Sequence, residues 1–363
     1  MKMKNTRFHL IHKQHGAKMV SFAGFEMPIQ YPAGIIAEHM SVRKDIGVFD
    51  VSHMGEVEIR GPQALDYVQK ISINDASKLV PNKAQYSAMC YPDGGIIDDM
   101  LVYHRGDHYM LVINGACAEK DIAWMHEQAQ GMDVTVHDVS DEINLLAVQG
   151  PKSLEALQTL TDVNLSEIPY YGFADGNLAG LNMIISRTGY TGELGFELYF
   201  RGDEKICEQI WNALFEAGAS HGIQPVGLGA RDTLRLEKGY CLYGNDINQD
   251  TNPLEAGLGW ITKLAKGSFN GSDAIAKVKE QGPSRKLIAF KVVAEKFIAR
   301  QHYPIHHGGN PVGEVTSGNI SPILNVGIGL GYVPTALAEP GTIIQISARG
   351  KEFDAEVVKL PFV

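Results

Sequence analysis

Apolar residues along this chain fall in short runs cut by glycine, a pattern that predicts many strands joined by tight turns, with fewer helices. Val57–Arg60, Met100–Tyr103 and Tyr109–Ile113 read as strands. Pro62–Ile71 sets Leu65, Val68 and Ile71 at helical spacing, and Ala118–Gln128 repeats that pattern. Strand, helix, strand, strand, helix is the order of a small α+β sandwich of the ferredoxin type.

Residues 144–150 predict a buried strand stopped by Gly150-Pro151, with a helix from Lys152 to about Leu160. Leu181–Arg187 and Phe196–Phe200 read as strands paired across a glycine-rich hairpin. Cys207–Gly218 and Pro225–Lys238 read as amphipathic helices, the second ended by Gly239 in the left-handed position after its last turn. The pattern changes near Gly282-Pro283-Ser284. Beyond it Lys286–Val293, Gly313–Ser317, Gly327–Val333 and Thr342–Ala348 predict an almost wholly β domain. No internal repeat or low-complexity segment is present.

A chain of 363 residues predicts two or three domains, and 44 % hydrophobic against 20 % charged residues is enough apolar mass to build their cores. No run nears the ~18 apolar residues of a membrane span. The net charge of −10 argues against a general grip on nucleic acid. Cys90, Cys117, Cys207 and Cys241 are scattered and form no C-x-x-C pair, which argues against a zinc knuckle and suits a reducing compartment. No apolar run follows the N-terminal lysines, so no secretory signal is expected and the protein is placed in the cytoplasm. The histidine spacing supports no metal site. His53 has no adjacent cysteine or nucleophilic serine, and no G-x-S-x-G elbow occurs.

Three segments carry candidate chemistry. In Gly94–Asp99 two glycines turn the chain and two carboxylates follow inside a strand, so Asp98 and Asp99 point to opposite faces. One of them faces apolar neighbours, either bonded to the turn or set there for a function. In Arg187–Glu197 glycines recur every third residue. Phe196, Leu198 and Phe200 then share one strand face, with Glu197 and Tyr199 on the other. Glu197 is either solvated on an open sheet or held beside a Gly/Tyr loop. No Walker lysine accompanies the loop, so a phosphate cradle is a weak reading. In Gly227–Gly239, Arg231, Arg235 and Lys238 align along one helix face, either as an ordinary solvated basic face or with Arg231 reaching a pocket.

These segments, with Gly16–Gly24, Met27–Tyr31, Val48–Met54, Lys83–Tyr86, Cys241–Asp246, Val315–Gly318 and Pro361–Val363, resemble in order the T-protein family, the aminomethyltransferases of the glycine cleavage system. The resemblance implies an α+β cloverleaf of three domains around a folate cavity. These are a discontinuous folate-binding core (1–52 and 140–283), a ferredoxin-like domain (53–139) and a C-terminal β-barrel domain (284–363). It implies transfer of a methylene group from the aminomethyl-dihydrolipoyl arm of the H-protein to tetrahydrofolate, with ammonia released and 5,10-methylenetetrahydrofolate formed, by a chain expected to be monomeric.

Residue by residue, the resemblance makes Asp99 the catalytic carboxylate and Glu197 the acceptor of the two adjacent donors of a pterin. Arg231 and Tyr190 fall at the same folate site, Met54, Tyr86 and Asn114 on its lining, and Trp260 on a wall. Arg300 is either a partner for the anionic folate tail or a surface arginine. Phe25 stands where many relatives carry Trp. Lys263, Lys266, Lys277, Lys279 and Arg285-Lys286 form the candidate basic patch for the carrier, or else solvated charge. Two other functions stay open. One is the folate domain of an N-methylglycine demethylating enzyme, although no flavin fingerprint occurs. The other is a non-catalytic folate-binding protein of iron–sulfur assembly, whose Lys-Gly-Cys-Tyr-x-Gly-Gln motif is replaced by Lys238-Gly239-Tyr240-Cys241-Leu242-Tyr243-Gly244-Asn245-Asp246.

Overall fold

The computed structural model describes residues 3–293 and 297–363, and the fold is α+β. Its contacts divide the chain into two compact units. The first holds Met1–Gln69, Ala76–Tyr86 and Met100–Asp232, and the second Lys70–Asp75, Ser87–Asp99 and Thr233–Val363. Among the described residues no helix is long and apolar enough to cross a membrane.

Within the first unit a six-stranded sheet runs in the order Phe173–Leu178, Leu181–Ser186, Gly195–Arg201, Ile143–Gln149, Ile46–Asp50, Ile223–Pro225. The predicted pairing of the two hairpin strands is present, Ile185 lying opposite Leu198 and Ser186 opposite Glu197. Phe196, Leu198 and Phe200 enter one apolar cluster with Phe8, Cys207, Ile210, Trp211 and Leu214. The last four lie at i, i+3, i+4 and i+7 of the helix Glu204–Ala217 and form the stripe that covers the sheet. Each fully buried side chain of this kind contributes about 1.5–3 kcal/mol. Asp203 starts the helix by accepting the N–H groups of Lys205 and Ile206, both at 3.1 Å, so it begins a turn before the predicted Cys207.

A five-stranded sheet has the order Lys83–Cys90, Ile96–His104, Tyr109–Ile113, Gly55–Arg60, Thr135–Asp138. Its two outermost strands add to the predicted strand–helix–strand–strand–helix order. The strands Lys83–Cys90 and Ile96–His104 continue into the segments assigned to the second unit. The helix Leu228–Lys238 starts three residues after the predicted Pro225, because Ile223–Pro225 is a short strand parallel to Ile46–Asp50. Gly239 follows the helix at φ +73°.

In the second unit six strands close into a barrel: Arg285–Val292, Val326–Pro334, Asn310–Ser321, Pro304–His307, Ile343–Ala348 and Lys351–Val358. The predicted strand Gly313–Ser317 is the middle of a longer one, which carries a bulge between Val315 and Ser317. The solvated basic face expected on Leu228–Lys238 is overturned at Arg235, which is 2 % exposed. Its guanidinium reaches Asp246 Oδ2 at 2.6 Å, Ser317 Oγ at 2.7 Å and the Tyr240 carbonyl at 3.0 Å. Asp246 also accepts the Leu242 N–H (3.0 Å) and the hydroxyls of Thr316 (2.6 Å) and Ser317 (2.9 Å). The chain's last residues seat on this helix: the Phe362 N–H donates to the Glu237 carbonyl at 2.9 Å, and the Phe362 ring packs with Leu236, Ile328 and Leu330.

Candidate functional site

The polar face of the strand Gly195–Arg201 is covered rather than solvated. Tyr199 is 2 % exposed and Glu197 half-buried. Glu197 Oε2 accepts the hydroxyls of Thr188 and, at 3.4 Å, Tyr199. Tyr103 Oη lies 3.0 Å from Ser186 Oγ, 3.1 Å from Thr188 Oγ1 and 3.1 Å from Tyr199 Oη. Each hydroxyl has one proton to give. With Thr188 and Tyr199 both donating to Glu197, Tyr103 donates to one of them and Ser186 can donate to Tyr103. The hydroxyls therefore run in one direction and end on a carboxylate. Burial raises the Glu197 pKa, opposed by the Thr188 and Tyr199 hydrogen bonds and by the charge of Arg231. Burial, then the Glu197 charge, pushes the Tyr199 phenol well up, so it stays a donor.

Arg231, in the first turn of its helix, stacks over the Tyr190 ring with 4.7 Å from Cζ to the centroid. Tyr190 sits in the glycine-rich loop before Glu197, where a Cβ on Gly189 would meet Gln149 Oε1 at 2.0 Å. That loop is pinned because Gln149 Nε2 donates to the Thr188 carbonyl (3.1 Å) and the Thr191 hydroxyl donates to Gln149 Oε1 (2.8 Å). A planar cation on an aromatic ring, beside a carboxylate supplied with donors, can hold a flat heterocycle bearing adjacent N–H groups.

Met54 and Asn114 flank the paired residues Gly55 and Ile113 at the ends of neighbouring strands. The approach there is close: a Cβ on Gly115 would lie 1.8 Å from the His53 carbonyl oxygen. Tyr86 lies on the strand Lys83–Cys90 of the same sheet. Met54, Tyr86, Asn114, Tyr190 and Arg231 are all half-buried. The sequence set His53 aside, yet it is 3 % exposed, packs edge-on to Phe22 at 5.3 Å, and leaves Nδ1 without a hydrogen-bond partner. Burial, then the Arg231 charge, lowers its pKa to about 3 against the pull of Asp50, so its imidazole is neutral. Glu56, Tyr103, Thr188 and Ser186 were also passed over. Thr188 could have been found from its place in the same Gly/Tyr loop, whereas Tyr103 could not, because its partners lie 83 to 96 residues away.

Asp99 and Trp260 belong to the second unit. Asp98 is the fully enclosed member of the carboxylate pair and Asp99 the half-buried one. The preceding turn is bonded by Asp93, whose Oδ1 accepts the Gly95 N–H at 3.0 Å. The strand that carries Asp99 is anchored at its start, where the Ile96 N–H donates to the Thr251 carbonyl (3.1 Å) and the Tyr243 hydroxyl to the Ile96 carbonyl (2.9 Å). A Cβ on Gly95 would lie 1.8 Å from the Gln249 carbonyl oxygen, so only glycine lets this segment approach so closely. Cys241 lies within the field of Asp99, and burial, then the charges of Asp246 and Asp99, raises its thiol pKa well up. Trp260 stands 62 % exposed in a short 3-10 turn. Arg300 is exposed.

Residues 8–266 match the family model described as the GCVT N-terminal domain, and residues 285–363 that of the glycine cleavage T-protein C-terminal barrel domain. An aminomethyltransferase of Flavobacterium psychrophilum is 52 % identical over 363 residues, covering 99 % of each chain. One of Halothermothrix orenii is 50 % identical over 362 residues, covering 99 % of this chain and all of that one. The crystal structure of the glycine cleavage system aminomethyltransferase T of Bartonella henselae superimposes with a TM-score of 0.92 at 33 % identity, over 99 % of this chain and 98 % of that one.

Proposed function

Because the chain belongs to the glycine cleavage T-protein family, the aminomethyltransferases, we propose that it moves the methylene carbon of an aminomethyl group from the dihydrolipoyl arm of the lipoylated H-protein to tetrahydrofolate. Ammonia leaves and 5,10-methylenetetrahydrofolate forms. The observation that carries the reading is Glu197: a half-buried carboxylate on which a one-way run of hydroxyls ends, beside the Arg231–Tyr190 stack. That acceptor fits the paired donors of a pterin edge. Relatives named aminomethyltransferase span the whole chain, which favours the transferase over a non-catalytic folate binder or a demethylase domain.

Tetrahydrofolate supplies the nitrogen nucleophile, and the side chains place it and manage charge. Glu197 accepts the pterin donors. Arg231 with Tyr190 offers a flat surface and a fixed positive charge. Met54, Tyr86 and Asn114 line the recess, and Trp260 forms part of a wall. Asp99 orients or deprotonates the attacking nitrogen and favours the cation that develops on the carbon as its leaving group departs. A short side chain on an anchored strand suits that task.

The test is ammonia release from aminomethyl-loaded lipoyl carrier with and without tetrahydrofolate. Folate should accelerate it strongly, and no acceleration would overturn the reading. Asp99→Asn should lose at least about a hundredfold in rate with folate affinity retained, the usual scale of a general acid–base contribution. The division at 52/53, 139/140 and 283/284 is likewise our proposal, checked by limited proteolysis. So are a cytoplasmic location, which four buried thiols outside any disulfide suit, and a monomeric state, checked by sedimentation.

A further inference from the structure

A second carboxyl lies in the electrostatic neighbourhood of Glu197, and nothing above uses it. Glu56 is 1 % exposed on the strand Gly55–Arg60. Its backbone is fixed, the N–H donating to Ser140 Oγ at 3.0 Å and the carbonyl accepting the Val139 N–H at 3.0 Å. Its side chain is not, and the enclosed Oε1 has no hydrogen-bond partner. Strand alternation sends Val57 and Ile59 into the core and leaves Glu56 and Glu58 on the other face. Glu58 has cations in reach, Arg60 Nε at 2.9 Å and Arg201 Nη2 at 4.0 Å. Glu56 has none among the described residues. The charged groups that face it are Asp138 from the neighbouring strand and Glu197 from the strand Gly195–Arg201, both acidic. The Tyr199 phenol beside Glu197 completes that side. Arg201 is engaged by Glu142 and Glu58, and the Arg231 charge acts on Glu197.

We propose that Glu56 is a positioning residue for the folate co-substrate, acting on it through Glu197 and Tyr199. This rests on Glu197 meeting the pterin. A carboxylate sealed from water, without a donor and between two acidic neighbours, is too costly to keep ionised. Glu56 therefore holds its proton, and burial, then the charges of Asp138 and Glu197, moves its pKa well above the ordinary carboxyl range. The two glutamates carry one negative charge between them. That charge settles on Glu197, which has the Thr188 and Tyr199 donors and the Arg231 field, while Glu56 has no donor. A neutral Glu56 is what lets Glu197 be the anion that a two-donor edge requires. When Glu56 loses its proton, the second charge works against Glu197 and loosens the run of hydroxyls behind it.

The experiment is titration calorimetry of the full chain with 5-methyltetrahydrofolate from pH 6 to 10, on the wild type, Glu56→Gln and Glu197→Ala. Gln keeps the shape of the acid and cannot ionise. The wild type should lose affinity as the solution becomes alkaline, and in Glu56→Gln that limb should move up by at least about one pH unit, a tenfold difference in affinity on the limb. Infrared difference spectra should show the carbonyl stretch of a protonated carboxylic acid at neutral pH in the wild type, and its loss in Glu56→Gln. Superimposable pH profiles, an unchanged infrared band, or a loss of tenfold or more at neutral pH in Glu56→Gln would each overturn the proposal. Glu197→Ala separates the two ideas. If it binds like the wild type, the pterin reading fails first. If it weakens binding while the Glu56→Gln profile matches the wild type, only the role of Glu56 fails.

Discussion

Asp246 is the acceptor on which the second unit closes, and Asp246→Asn is the most informative perturbation of its stability. The carboxylate is 0 % exposed and takes the Arg235 guanidinium, one backbone N–H and two hydroxyls. Asn keeps the volume and one acceptor but turns a donor toward groups that are themselves donors, and it takes from the buried Arg235 the carboxylate that lies 2.6 Å away. Breaking a buried pair from one side costs about 3–5 kcal/mol. The two partners should not cost the same. Arg235 cannot shed its charge, whereas Asp246 deprived of Arg235 still has three neutral donors, one N–H and two hydroxyls. Asp246→Asn should therefore sit at the top of that range and Arg235→Met lower, near about 2 kcal/mol by the scale of a charged hydrogen bond. The second unit has about 150 residues, for which each kcal/mol moves a thermal midpoint by about 2–4 °C, so Asp246→Asn should lower it by roughly 10–20 °C. Scanning calorimetry at one fixed scan rate reads both variants. A reversed order, or losses under about 1 kcal/mol for both, would refute the reasoning, because the network would then be carrying no charge that matters.

Glu197→Gln keeps the size of the side chain but replaces an acceptor with a donor, and should weaken tetrahydrofolate binding by at least about tenfold by calorimetry, the worth of a charged hydrogen bond. Arg231→Met removes the charge that, after burial, holds His53 low, so the His53 pKa should rise from about 3 in an NMR titration; no movement would deny their coupling. Gly115→Ala drives a methyl into the His53 carbonyl, and should lower both thermal stability and folate affinity through the shifted His53-Met54 backbone. Glu56→Gln also makes a stability prediction. The folded pKa of Glu56 lies above its unfolded value, so its cost is absent below pH about 4.5, where both states are protonated, and grows as pH rises until the folded pKa is reached. The stability of Glu56→Gln should therefore gain on the wild type as pH rises above about 4.5, by up to about 1.4 kcal/mol per pH unit. A constant difference would contradict it.

What the chain makes legible is local. Phe196, Leu198 and Phe200 against Glu197 and Tyr199 could be separated by period alone, because a strand's faces alternate whatever covers them. The helix Ala118–Gln128 was readable to the residue from its helical spacing, and the strand Tyr109–Ile113 as an unbroken apolar run. Arg235 was not, because its counter-charge lies 11 residues on and its serine 82 residues on, and nothing in a helical repeat announces either. The edge strand Phe173–Leu178 was missed because only its two end residues are buried, so its middle carries no apolar run.

Glu56 marks where pattern stops and packing begins. Gly-Glu-Val-Glu-Ile-Arg is the text of an ordinary half-solvated strand, and Glu58 behaves as that text says, paired with arginines near the surface. Two residues earlier, the same face is closed over, and Glu56 lies in the field of Glu197. Period two tells which residues share a face but not whether a second sheet lies on it. That undetermined fact decides the chemistry: an exposed Glu56 would be one more surface carboxylate, while an enclosed one keeps its proton and changes what its neighbour can be. The glutamates that matter to function are therefore identified by the mismatch between a polar pattern and a dry location. That mismatch becomes visible only when strands distant in sequence are packed together.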